Sequence, residues 1–308
     1  MQTVLMTGGT GLVGRALSSL LVKKGYRVII LTRNTKGKIN SPSIQYAQWD
    51  VAKQSIDLQA LQSADFIVHL AGAGVVDKRW TARYKKEIID SRTLSSHLLV
   101  SSLSAHPNKI QAIVSASAIG WYGPDMLAGK SFVESDPAAP GFLGETCKAW
   151  EESIAQANQL NIRVCTIRTG IVLSNDGSAL PEFKKPIRMG IAGILGNGKQ
   201  VVSWIHIEDL CRIFVEAIEN KSLSGPMNAV APMPVDNKTL TISLAKAMRG
   251  HFFIPVHIPA WTLRLMMGES SIEVLKSTTV SSKKLTNTGF VFLCPSIDSA
   301  IQALVHPR

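Results

Sequence analysis

The stretch Thr3-Val-Leu-Met-Thr-Gly8-Gly9-Thr10-Gly11-Leu12-Val13-Gly14 constrains the chain more than any other. A short apolar run broken at once by glycine reads as a buried strand, and the residues from Gly11 to Lys24 alternate as an amphipathic helix. Gly8, Gly11 and Gly14 fall at the spacing of a turn in which backbone must approach a phosphate and the helix must pack tightly on the strand. The amides that open such a helix point at the turn and favour an anion there. A second strand, Arg27 to Arg33, completes a βαβ unit within the usual length. The expectation is therefore an α/β chain with a parallel sheet and a dinucleotide site at its first turn.

Other readings of the same stretch fail on residue type. A Walker loop needs Gly-Lys-Ser/Thr where this chain has Gly14-Arg15-Ala16, and a secretory leader needs positive charge ahead of the apolar core, whereas the first basic residue is Arg15. Hydrophobic residues make up 45% and charged residues 18% of 308, which excludes general disorder, and there is no uninterrupted apolar run of membrane-spanning length. Lys and Arg total 33 against 22 Asp and Glu, a formal charge of +11. The basic residues are scattered in pairs such as Lys23-Lys24 and Lys184-Lys185, which favours a small anionic ligand over nucleic acid. Cys147, Cys165, Cys211 and Cys294 are too far apart in sequence for a metal or redox motif, so a reducing cytoplasm is expected, with neither a metal nor a membrane as partner.

Along the chain, Arg33 stands at the end of the second strand, where an acid would bind the ribose hydroxyls of NAD; an arginine there either attracts the 2′-phosphate of NADP or is simply solvated. Ser43 to Trp49 reads as a third strand that ends at Asp50-Val51, and Phe66 to Gly72 as a buried strand with His69 packed inside it. Thr81 to Leu103 is helical in pattern, Ala112 to Ala118 is a strand that runs into the aromatic loop Ile119–Pro124, Gly141 to Gln159 is a helix, and Ile162 to Arg168 is a strand. Lys184 to Gln200 reads as a basic, glycine-rich loop. Residues beyond about 238 read as short helices with a terminal Phe290-Val-Phe292 strand.

Together, Thr7–Gly14, His69-Leu-Ala-Gly72, Val114-Ser-Ala-Ser117, Lys148, Arg168-Thr-Gly170 and Trp204–Asp209 make the chain resemble the extended short-chain dehydrogenase/reductase superfamily. More narrowly, Lys78-Arg-Trp-Thr81, Ser91-Arg92, Ser117–Gly123, Gly196–Gln200 and the tail from Val280 resemble its atypical subgroup of "epimerase family proteins" with a small C-terminal domain of unknown function. The resemblance implies a Rossmann-type doubly wound sheet over residues 1–225, with 171–203 contributing to a substrate lobe completed by 226–308. It implies an NADP cofactor touched by Gly8, Thr10, Gly11, Leu12, Val13, Arg33, Asp50, Val51, Leu70, Ala71, Gly72 and Lys148.

The superfamily uses a serine, a tyrosine acid/base and a lysine four residues after the tyrosine, which lowers the phenol pKa. Ser117 and Lys148 match, but Gly144 occupies the tyrosine position. Tyr122, on the loop after Ser117, is either the replacement acid/base or a wall of the pocket, and Glu145 and Cys147 are further proton-donor candidates. The expected catalytic set is Ser117, Tyr122 and Lys148. Two functions stay open: an oxidoreductase or epimerase acting on a small carbonyl or hydroxyl compound, anionic or neutral, and an NADP-binding sensor with little turnover.

Overall fold

The computed structural model describes residues 1–126 and 129–306. Strand β1 (Thr3–Thr7) is buried at every position, and its side chains alternate between two cores. Val4 and Met6 join one cluster with Leu17, Leu21 and Phe214, while Leu5 joins the other with Ile67, Leu98 and Ile154. This is the two-residue period of a strand covered on both faces.

Around β1 lie β2 (Arg27–Thr32), β3 (Ile44–Asp50), β4 (Ser55–Ile56), β5 (Phe66–His69), β6 (Ala112–Ala118) and β7 (Arg163–Thr169). With the strand Gly225–Ala229 at one edge they form an eight-stranded sheet, ordered Gly225–Ala229, β7, β6, β5, β1, β2, β3, β4. Every pairing is parallel except β3 with the two-residue β4. Helices α1 (Leu12–Lys23) and, from the second half, Ile207–Glu219 cover one face. Helix α2 (Leu58–Ser63), α3 (Ala82–Ala105) and α4 (Phe142–Ala155) belong to the other. The strand order reverses between β1 and β5, so the turn after β1 and the exit of β5 share the carboxyl edge where such sheets bind ligands.

The second lobe has a separate core. Helix α5 (Ala179–Arg188), the strand Ile191–Leu195 paired in parallel with Ile254–Ile258, and the helices Asn237–Arg249 and Ile297–Val305 bury Leu180, Ile187, Leu244, Ile301 and Leu304 together. The expected loop over 184–200 is thus largely a helix and a strand; Pro181, Pro186, Gly190 and Gly193 mask the apolar periodicity of a segment that packs only against its lobe partners. The expected strand at Phe290–Phe292 is absent. The two rings meet edge to face at 5.1 Å, and the next amides, Leu293 and Cys294, donate to the buried Asp209 carboxylate at 2.8 and 2.9 Å rather than to a sheet. The expected limit at residue 308 lies outside the described residues.

The lobe reaches back across the carboxyl edge of the sheet. Arg79 donates to the Leu265 and Met266 carbonyls at 2.5 and 3.2 Å, and Lys85 pairs with Glu269 at 2.6 Å. Both basic residues follow β5 in the chain, so the lobe is latched to the connection that leaves the expected cofactor edge.

Glycine is required where backbones touch. Gly8 has φ +66°, and a Cβ there would lie 2.7 Å from the Leu70 carbonyl; a Cβ on Gly14 would lie 2.4 Å from the Gly8 oxygen. Gly14→Ala should force α1 away from the turn, and we expect a fall in Tm on the order of 5 °C in a thermal melt, with an unchanged Tm excluding this packing.

Candidate functional site at the sheet's carboxyl edge

The turn after β1 is built to receive negative charge. Gly11 caps α1 without a side-chain bond, no acid stands in the first helical turn, and the Gly11 amide closes the turn onto the Gly8 oxygen at 3.0 Å. The amides that follow are therefore open to an anion. Thr7 holds the β5 exit against this turn: its hydroxyl accepts from the Leu70 and Ala71 amides at 3.0 and 3.1 Å. Gly8, Leu70, Ala71 and Gly72 are thereby brought together, with Thr10, Leu12 and Val13 on the same turn and helix start.

At the β2 end, Arg33 is exposed, and among the described residues it enters no ion pair. Arg15 folds back to donate to the Thr10 carbonyl at 2.7 Å. Beside it opens a groove of about 670 Å³ lined by Thr10, Arg15, Lys23, Lys38 and Tyr46 among others. Asp50 turns inward on its own loop, accepting from the Ala52 and Lys53 amides, and Val51 packs on the core of that face.

His69 is a packed core residue: it is fully buried, with Nδ1 2.8 Å from the Thr7 hydroxyl and Nε2 3.3 and 3.2 Å from Ser95 and Ser96. Burial, helped by the nearby Arg92 charge, pushes its pKa down to about 3.

Ser117 leads into a polar cluster. Its hydroxyl donates to Glu151 Oε1 at 2.6 Å, and Arg168 grips both oxygens of Glu151, at 2.8 and 2.9 Å. Arg168 side-chain exposure is 2%, and the guanidinium lies 3.7 Å from the Trp121 ring centre. Such a paired, forked contact satisfies a charge that could not be buried alone. Ser117 and Arg168 are registered neighbours on β6 and β7, so both side chains leave the same face, towards α4.

Tyr122 is packed in a small buried cluster with Val230 and Val280. Its ring is 2% exposed and stacks on Phe132; its hydroxyl donates to Asn228 Oδ1 at 2.6 Å and accepts from Arg168 at 3.0 Å. Burial pushes its pKa up to about 12, against the lowering effect of Arg168. Burial, then Glu151, raises the Cys147 thiol to about 12. Glu145 is exposed and accepts the Gly141 amide at 3.2 Å, as a helix-start residue does. Lys148 has a side chain 57% exposed, 3.9 Å from Glu152.

The missing tyrosine has a steric reason. A Cβ on Gly144 would lie 2.0 Å from the Ala139 oxygen, so the chain before α4 fills the place where that side chain would begin. Sequence reading overlooked Glu151, whose only signal is its position three residues after Lys148 on one helix, and Asn228, which has no local signal. It had quoted Arg168 without giving it a role.

Residues 4–229 match the NAD dependent epimerase/dehydratase family, and residues 258–304 match a domain of unknown function, DUF1731. The chain belongs to the NAD dependent epimerase/dehydratase family. This is an extended short-chain dehydrogenase/reductase of Rossmann fold, an NAD(P)-dependent epimerase/oxidoreductase type of enzyme. An epimerase family protein of Staphylococcus aureus is 36% identical over 306 residues, 99% of each chain. A human epimerase family protein, solved with NADPH, superposes with TM-score 0.86 at 26% identity over all of both chains. A nucleoside-diphosphate sugar epimerase from Corynebacterium glutamicum gives 0.77 at 32%, covering 99% of this chain and 58% of its own. Among the described residues, no helix is long and apolar enough to cross a membrane, and no cluster of His, Cys, Asp and Glu could hold a metal.

The buried imidazole sets a pH response. The unfolded chain protonates His69 near ~6.5 while the fold resists until about 3, so its stabilising contribution is complete above ~6.5 and is lost as pH falls towards 3. Urea unfolding should show about 2 kcal/mol less stability at pH 5 than at pH 6.5 from this group, and His69→Gln should flatten that slope. An identical slope in the variant would assign the loss elsewhere. Tyr122→Phe should cost about 1–3 kcal/mol in the same assay, because Asn228 loses its donor inside the core.

Proposed function

We propose that the chain is an NADP-dependent oxidoreductase or epimerase acting on a small compound with a carbonyl or hydroxyl group. The observation that carries the cofactor choice is the β2 end, where an exposed Arg33 stands in place of an acid that would accept the ribose hydroxyls, with a groove lined by Arg15 and Lys38 along the same turn. A 2′-phosphate would find charge-assisted hydrogen bonds there, and NAD would find no carboxylate. The human relative's NADPH supports the same choice. The open amides at Leu12 and Val13, with Gly8, Thr10 and Gly11 on the turn, fit the pyrophosphate; Asp50 and Val51 would border the adenine, and Leu70, Ala71, Gly72 and Lys148 the ribose next to the nicotinamide.

A bound nicotinamide supplies hydride exchange. The chain supplies a place for the substrate oxygen at Ser117 and a route for its proton. Since the Ser117 hydrogen already points to Glu151, a substrate hydroxyl can give its proton to Ser117 Oγ while Ser117 passes its own to the Glu151 carboxylate. Arg168 keeps that carboxylate oriented through bonds to both of its oxygens. This pair would replace the tyrosine that Gly144 excludes. The filled space at Gly144 also favours a second reading, a dinucleotide sensor with little turnover.

Calorimetric titration should find NADP(H) bound more tightly than NAD(H), with Arg33→Asp removing much of the difference; equal affinities in the parent would reject the preference. With a turned-over substrate in hand, Ser117→Ala should lower kcat on the order of a hundredfold and leave NADP affinity nearly unchanged. Undiminished turnover would remove Ser117 from the chemistry.

A further inference from the structure

Arg92 is a buried cation with no anion beside it. It lies on α3, is 9% exposed, and among the described residues forms no ion pair. Its one side-chain hydrogen bond runs from Nη1 to the Ile88 carbonyl of its own helix at 2.9 Å. The other N–H groups find no partner, yet they are not sealed from solvent, unlike the indole N–H of Trp150 against which the guanidinium rests, 4.9 Å from the ring centre. The neighbours are the neutral His69, the protonated Cys147 and Tyr84. Burying an unpaired charge costs several kcal/mol, and a hydrophobic side chain of this length would pack the same space without that cost.

The place of the guanidinium is informative. A Cβ on Gly72 would lie 3.1 Å from Arg92 Cζ and 3.4 Å from Nε, so the β5 exit lacks a side chain where the fork comes up behind it. The neighbouring Ser91 hydroxyl accepts the Ala73 amide at 2.9 Å and pins the same loop to α3. The free N–H groups therefore adjoin Gly72, on the loop that the proposed nicotinamide site uses.

We propose that Arg92 is the anchor for an oxyanion of the substrate, a carboxylate or phosphate group, which completes the site with the negative charge the fold leaves out. The proposal rests on the reading of this edge as a cofactor and substrate site. It names the substrate class: a small anionic carbonyl or hydroxyl compound, held through a planar fork that matches two oxygens.

The test uses the full chain saturated with NADP, so that the phosphate sites of the dinucleotide are already filled. Thermal melts are run with acetate or inorganic phosphate against chloride at equal ionic strength, for the parent, Arg92→Met and Arg92→Lys. The parent should gain several degrees in acetate or phosphate over chloride, Arg92→Met should lose that gain while melting higher than the parent in chloride, and Arg92→Lys should keep only part of the gain. A parent indifferent to both anions, an Arg92→Met variant that keeps the gain, or a charge-independent loss of stability in both variants would overturn the anchor. If Arg92→Met fails to fold, the parent and Arg92→Lys decide the matter by the same comparison. Failure of the cofactor reading shows separately, as the absence of any NADP-induced shift in the parent.

Discussion

The approach of three backbone segments at the first turn governs the rest of the molecule. Gly8, Gly14 and the Leu70 carbonyl come so close that no side chain fits between them. That contact holds α1 on β1 and sets the β5 exit beside the turn. The Thr7 hydroxyl then locks the exit in place by taking both the Leu70 and Ala71 amides. A helix end with unfilled amides is stable only if water or an anion completes it, so the same packing that closes the sheet prepares the site.

A second constraint operates at the other end of the edge. Arg168 gathers Glu151 from α4, Tyr122 from the loop after β6 and the Glu134 carbonyl, while Tyr122 passes the network to Asn228 on the edge strand. Every member satisfies another, which suits a low-dielectric interior, where a half-satisfied network is more costly than an apolar one. The buried phenol is thereby held on both sides of its oxygen, while the Ser117 hydroxyl donates to the Glu151 carboxylate. Arg92 contrasts with Arg168, since one cation is fully paired and the other is left for a partner from outside.

The lobe is tied to the sheet by buried and exposed contacts together: Thr278 donates to the Gly123 carbonyl, Thr279 bonds to Asp125, and the Cys294 amide donates to the buried Asp209. Arg79 and Lys85 bridge to Leu265, Met266 and Glu269 at positions that water reaches, where an ion pair contributes little. Its own core lies around Leu180, Leu244 and Ile301, while Leu285 and Phe292 join the core of the sheet.

The order of the sheet's main elements was legible in the sequence because each has a local cause. Strands β1, β5, β6 and β7 are short apolar runs, α3 and α4 carry a helical period, and the Gly8–Gly14 spacing admits few other structures. The dinucleotide turn and the identity of Arg33 at the β2 end follow from the same local chemistry. Other features depend on which segments meet in space. Gly144 is a glycine because of Ala139, Glu151 is paired because β7 brings Arg168 to it, and the Tyr122 hydroxyl is satisfied because Asn228, 106 residues later in the chain, accepts its hydrogen bond. The helix and strand within 179–195 escaped notice because prolines and glycines hide a pattern that only the lobe's packing enforces. Sequence alone determined the local elements and the ligand-binding turn, since hydrogen bonding and steric freedom within a few residues decide them; tertiary structure decided which polar side chains are paired, and hence which keep a charge or a proton to offer, since that depends on burial and on partners far away in the chain.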